Sequence, residues 1–194
     1  MTDATDLGAG AGVDPQAYRD VLGRVVTGVT VVTALDDRAA GNGSRPQPWG
    51  TTVNSFTSVS LDPPLVLVSI GHERSIHPLI ARTRRFAVNV LGEESRAISD
   101  CFSGAPSELP REAFCSAAYR LGEECGLPIL DEAIAWVGCA VERVIEAGDH
   151  TLYIGRVVEA GVVDDAGWPL LFYRRRYLNI EHAEVTDLRG KPET

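Results

Sequence analysis

TTVNSFTSVSLDPPLVLVSI, from Thr51 to Ile70, sets a hydroxyl-rich run directly ahead of a wholly apolar one. β-Branched residues recur through both halves and suit extended backbone. Asp62-Pro63-Pro64 interrupts pairing between them. The stretch predicts two strands, Trp49 to about Ser58 and Leu65 to Ile70, the second buried on both faces because it is continuously apolar. The first is anomalous. A half-buried strand alternates polar and apolar positions, yet Thr51, Ser55 and Thr57 point one way while Thr52, Asn54 and Ser58 point the other, so both faces are polar.

Outward from this stretch, Thr27–Leu35 and Arg85–Leu91 read as further strands, and Ala133–Glu146 and His150–Ala160 flank Gly148-Asp149, a two-residue hairpin turn. PLLFYRRRYLNI (Pro169–Ile180) predicts one more strand, with Arg174 and Arg176 on one face and Arg175 on the other. Helices are few. Asp14-Pro15 pairs an N-cap acid with proline at the first helical position, and Ala17, Val21, Leu22 and Val25 fall on one face of the helix that follows. GHERSIHPLIARTR supplies a turn and a short helix, and EESRAISDCFSG a helix ending at Gly104. Ala105–Leu130 lacks a clear period and reads as an excursion over the core. Six or seven strands, several in consecutive pairs, predict a mainly β single domain over residues 14–183: a closed antiparallel barrel with peripheral helices. The remaining 1–13 and 184–194 read as tails, and 36–48 as a long polar loop.

The chain has 194 residues and a formal net charge of −9, which disfavours nucleic acid as a partner. No apolar stretch approaches the roughly 18–20 residues that span a bilayer, and the N-terminus lacks the basic start and apolar run of a secretory signal. Cys101, Cys115, Cys125 and Cys139 show no C-x-x-C spacing, so buried free thiols in a reducing cytoplasm are expected rather than zinc or a disulfide scaffold.

The polar strand admits two explanations. A surface edge strand tolerates such residues. Alternatively, its hydroxyls, its backbone N–H groups and the Asn54 amide, which joins donor and acceptor in one group, form a ladder for a heterocycle with a polyol tail. Arg74, Ser75 and His77, at a helix start, offer charge and N–H groups to a phosphate, or simply a cap and a solvated arginine. In GDHTLYIGRV (Gly148–Val157), His150 opens a strand after a tight turn, facing a pocket or satisfied by Asp149. Arg174–Arg176 is either a solvated basic face or an anion clamp, and Tyr173 beside it could stack on a nucleotide ring. Trp49, Trp136 and Trp168 read as packing residues.

Five runs taken together carry a resemblance: TGVTVVT (Thr27–Thr33), TTVNSFTSVSLDPPLV (Thr51–Val66), RFAVNVL (Arg85–Leu91), GDHTLYIGRV and PLLFYRRRYLNI. In this order the chain resembles the flavin reductase-like family, small NAD(P)H:flavin oxidoreductases that feed two-component monooxygenases. The resemblance implies a cytoplasmic homodimer with an FMN-binding split β-barrel, FMN or FAD as flavin, NADH or NADPH as reductant, and a separate monooxygenase partner. It implies a flavin pocket lined by Thr27, Gly28, Val29, Thr30, Thr51, Thr52, Val53, Asn54, Ser55 and Phe86. Ser58, Val59, Ser60, Arg74, Ser75, Ile76 and His77 would hold the ribityl and phosphate part. Gly148, Asp149 and His150 would meet the nicotinamide nucleotide, with His150 as the catalytic candidate, and Tyr173, Arg174 and Arg176 are further cofactor contacts. Hydride transfer from nicotinamide to flavin leads the functional readings. A flavoenzyme with tightly held flavin acting on an organic substrate, and a non-catalytic flavin- or haem-binding barrel, compete with it.

Overall fold

The β-branched runs extend, but three of them break where one strand was expected. The computed structural model describes residues 12–38, 46–165 and 167–178. The central residues of the 36–48 loop, residues 1–11 of the first tail, the whole of the second tail, Asn179 and Ile180 lie outside the described residues. The strands are β1 (Thr27–Gly28), β2 (Thr30–Asp36), β3 (Gln47–Val53), β4 (Thr57–Leu61), β5 (Pro64–Gly71), β6 (Arg85–Leu91), β7 (Tyr119–Leu121), β8 (Pro128–Leu130), β9 (Ala133–Ala147), β10 (His150–Val162), β11 (Leu171–Tyr173) and β12 (Arg176–Leu178). The helices are α1 (Pro15–Leu22), α2 (Ile76–Thr83) and α3 (Arg96–Ser103).

Two of the helices start or stop where their chemistry dictates. Asp14 accepts the Ala17 N–H ahead of Pro15, and Gly104 closes α3 in the left-handed conformation, φ +86°. Gly148 opens the β9–β10 turn at φ +65°, as a two-residue hairpin loop with glycine first requires. Val29 interrupts the first predicted strand: its N–H bonds Leu170 O, and β1 leaves to pair with β11. The described part of the Pro169–Ile180 run, through Leu178, is a hairpin and not a single strand. The chain reverses at Arg174-Arg175, both in the left-handed region (φ 49° and 61°), so Arg174 and Arg176 do not share a strand face.

Seven strands form one antiparallel sheet in the order β3-β2-β6-β9-β10-β5-β4. Its outer strands, β3 and β4, are joined by only Asn54, Ser55 and Phe56. Such a link spans about 14 Å at most, whereas a flat seven-stranded sheet would hold its edges about 29 Å apart. The sheet must therefore curl until its edges meet. No backbone ladder closes the seam, in place of the closed barrel expected from strand count alone. Instead the Ser55 hydroxyl accepts the Ser69 N–H and donates to Ser69 O, both at 3.0 Å, joining the β3–β4 link to β5. The architecture is a split barrel.

Inside the curl, Phe86, Val32, Val68, Ile80 and Tyr153 are fully enclosed. Phe86 lies over Gly155, where an added Cβ would sit 2.6 Å from its ring and 2.9 Å from Cys139 Cβ. Glycine in GDHTLYIGRV thus leaves the space that the phenyl ring fills, next to a bulge in the β9–β10 ladder. The 105–130 excursion is pinned by a buried amide: Asn89 donates to Val31 O and accepts the Leu130 N–H, while Thr33 donates to Pro128 O.

The cysteine expectation is half corrected. Cys101 on α3 and Cys115 on the excursion form a disulfide, with Cα atoms 5.9 Å apart; only folding brings these positions together. Cys125 and Cys139 are free and buried, and burial pushes the Cys139 thiol up to about 12. A thiol reagent at mildly alkaline pH is expected to find no reactive cysteine in the native protein, two after denaturation without reductant and four after reduction. Four before reduction would refute the pairing.

Candidate functional site

The β3–β4 link does two things at once: it crosses the barrel seam, and it faces the start of β10. Because His150 pairs with Gly71 at the end of β5, the imidazole arrives beside the link. Thr52, Val53, Asn54, Ser55, Arg74 and His150 line one cavity of about 180 Å³. Within it, Thr52 donates to Ser99 O at 2.7 Å, and Ser55 is committed to Ser69. The Asn54 carboxamide is exposed and has no hydrogen-bond partner among the described residues, leaving it available to a ligand.

His150 is held by its neighbour. Its Nδ1 lies 2.7 Å from Asp149 Oδ1, and the hydrogen bond from His150 holds the Asp149 carboxyl below the usual carboxylate range. With Nδ1–H donating to Asp149, a neutral imidazole carries its lone pair on Nε2, ready to accept from an amide. Satisfaction by Asp149 and availability to a ligand are thus compatible, since each uses a different ring nitrogen.

Arg74 also borders a larger cavity of about 780 Å³, whose lining includes Val29, Thr52, Asn54, Arg96, Arg175 and Arg176. This volume suits a small-molecule site. Arg96 and the Tyr177 hydroxyl engage Asp100, and Arg74 contacts Glu73 and donates to Ser103 O. Arg175 and Arg176 form no ion pair among the described residues. The cavity is therefore electropositive inside an acidic protein. On the other side of Arg74, Thr51, Ser75 and Ile76 line a third cavity, of about 520 Å³, beside the Cys101–Cys115 disulfide. Ser75 stands at the α2 N-cap position without a side-chain cap bond.

Other predicted positions fall elsewhere. Phe86 is a core residue with no surface to offer a flavin, because the bare Gly155 strand draws its ring inward. Ile76 is 1% exposed and anchors α2 in the core. His77 turns under the hairpin, where its Nε2 lies 2.8 Å from Thr151 Oγ1 and its ring faces His72 and Tyr153. Ser58, Val59 and Ser60 belong to the sheet-edge strand β4, away from the cavities described above. Thr30 is buried and donates to Val53 O. Gly28 is exposed in β1, and Thr27 Oγ1 is buried without a hydrogen-bond partner among the described residues. Tyr173 carries the Arg174 guanidinium over its ring at 5.3 Å. Of the tryptophans, Trp136 is buried, as a packing residue should be, whereas Trp49 is 41% exposed at the third cavity. No local signal marks Arg96 and Arg175 as cavity residues: the first reads as an ordinary helix charge, and the second falls on the opposite face of the strand that its run predicts.

A flavin reductase like domain model matches residues 22–181. The chain belongs to this family. A Rhizobium meliloti (strain 1021) protein named "Probable flavin reductase" is 46% identical over 144 residues, which is 74% of this chain but 42% of that protein's length. The NADH-dependent flavin reductase StyB of Pseudomonas fluorescens is 38% identical over 167 residues, covering 85% of this chain and 89% of the relative. Among solved structures, the NADH:FAD oxidoreductase SgcE6 of Streptomyces globisporus C-1027 superposes with a TM-score of 0.74 at 34% identity, covering 91% of this chain and 95% of that one. The flavin reductase fold thus spans nearly all the described residues.

Proposed function

We propose that the Asn54–His150 cavity seats a flavin ring and that the adjoining arginine-lined cavity takes its anionic tail. The single observation behind this reading is the convergence of Asn54, with an unbonded amide, His150 and Arg74 on one cavity. The donor set fits the group: an amide for the ring edge, Thr52 and Val53 backbone beside it, and guanidinium groups for phosphate. The chain is an NAD(P)H:flavin oxidoreductase. Flavin, when bound, supplies the hydride-accepting ring; the protein binds, orients and shields the two nucleotides. His150 Nε2 accepts from the nicotinamide carboxamide and so aims the reductant at the ring. Arg74 and Arg176 neutralise the phosphate.

Because its flavin is a substrate to be passed on, the enzyme supplies a separate oxygenase component. A second copy of the chain fits α1, an amphipathic helix that buries none of its residues and leaves Tyr18, Val21 and Leu22 about half exposed or more. A cytoplasmic location fits a consumer of NAD(P)H, and no described helix is long and apolar enough to cross a membrane. The decisive measurement is NADH or NADPH oxidation as FMN or FAD is added. A rate that rises and saturates with flavin is expected. No flavin-dependent rate at any concentration would exclude the reductase reading, and flavin that resists removal by dilution would favour a prosthetic-group enzyme.

A further inference from the structure

For a protein of net charge −9, the cationic side chains are placed unevenly. A smaller cavity of about 220 Å³ is lined by Arg19, Arg24, Arg174 and Arg175 with Asp20 and Gly23. It adjoins the larger arginine-lined cavity at Arg175, which borders both. Seven of the 18 Lys and Arg residues therefore surround two connected spaces. Among the described residues, Arg19, Arg24 and Arg175 form no ion pair.

The turn that carries Arg175 is costly. Its two central residues are left-handed, a conformation in which asparagine and glycine sit easily and a long side chain does not. The turn is held there from outside, by the Arg174 N–H donating to Gly23 O at 2.7 Å, at the end of α1. Local strain that the surroundings maintain is characteristic of ligand clamps. Here it places the Arg174 and Arg175 side chains at the rim of the smaller cavity, with Arg175 bordering the larger one as well.

We propose that the smaller cavity receives the second phosphate and adenylate portion of a dinucleotide, so that this chain prefers FAD to FMN. The inference rests on the flavin reading of the Asn54–His150 cavity. A mononucleotide tail engages Arg74 and Arg176 and ends there. A diphosphate continues past Arg175, where planar guanidinium groups can take phosphate oxygens in pairs. FMN leaves Arg19, Arg24 and Arg174 unengaged.

Riboflavin, FMN and FAD, titrated by flavin fluorescence into the full chain and two variants, test this. Wild type is expected to bind FAD about tenfold or more tighter than FMN, the equivalent of one charge-assisted contact. Arg19→Ala/Arg24→Ala should remove most of that preference while leaving FMN affinity within about twofold. Arg174→Asn/Arg175→Gly replaces the strained pair with residues suited to the turn. It should weaken FAD far more than FMN, yet raise Tm by about 2–4 °C, so that loss of binding cannot be laid to misfolding. Equal wild-type affinities for FAD and FMN would overturn the proposal. So would variants that keep the FAD preference, or variants that change only the KM for NADH or NADPH, which would assign the arginines to the nicotinamide nucleotide. If none of the three flavins binds, the flavin reading falls and this inference with it.

Discussion

His150→Ala is expected to lower kcat/KM for the nicotinamide nucleotide by about 10- to 100-fold while the flavin Kd stays within about twofold. The imidazole lines the same cavity as Asn54, and Asp149 holds it through Nδ1. Removing it deletes one hydrogen bond to an incoming nucleotide and the orientation that bond imposes. Deleting the acceptor leaves the carboxamide N–H of the docked nucleotide without a partner, which costs about 1–3 kcal/mol, the equivalent of roughly the stated range. Flavin affinity survives because Asn54, Arg74 and the β3 backbone remain. Steady-state kinetics and flavin titration on the same preparation separate the two effects. Unchanged kcat/KM would return His150 to a turn residue satisfied by Asp149, and equal losses in both would place it against the flavin itself.

Phe86→Ala should cost about 3–5 kcal/mol of stability, the usual penalty for emptying a large aromatic site in a close-packed core. The ring is fully buried and lies over a glycine, so no neighbouring Cβ on β10 can relax into the vacated space. The expected result is a Tm lowered by roughly 10 °C or more, measured by calorimetry, with flavin affinity of the folded fraction unaltered. A loss of flavin affinity with Tm unchanged would instead give Phe86 the pocket role that its position in RFAVNVL suggested.

Much of the molecule is legible in neighbouring residues. Strand-favouring composition marks β6 and β10 almost to the residue, Gly148 marks the long hairpin, Asp14-Pro15 starts α1 and Gly104 ends α3, because each depends on local backbone preference. The polar anomaly at Thr51–Ser60 is legible too, since a packed strand has no use for hydroxyls on both faces, and Thr52, Asn54 and Ser55 do line a cavity. Its far end differs: Ser58, Val59 and Ser60 share that composition, yet they form a sheet edge once Asn54–Phe56 has turned the chain.

His77 and Phe86 are placed by distant partners: one lies beneath the hairpin and the other inside the barrel. Direction into the core is set by partners such as Thr151 and Gly155, which are more than sixty positions away. The Arg174–Arg176 run departs from expectation in another way. Its composition reads as a strand because left-handed arginines are rare, and only docking against Gly23 makes the reversal worthwhile.

Element type and turn positions are thus encoded in short-range pattern, where propensity and periodicity operate. Three features belong to the folded chain alone: the curl that brings β3 to β5, the Cys101–Cys115 bond, and the gathering of arginines about Arg175. Each joins residues that no local rule relates: one apolar cluster is buried inside the curled sheet, and a second is buried where α3 and the final hairpin pack together.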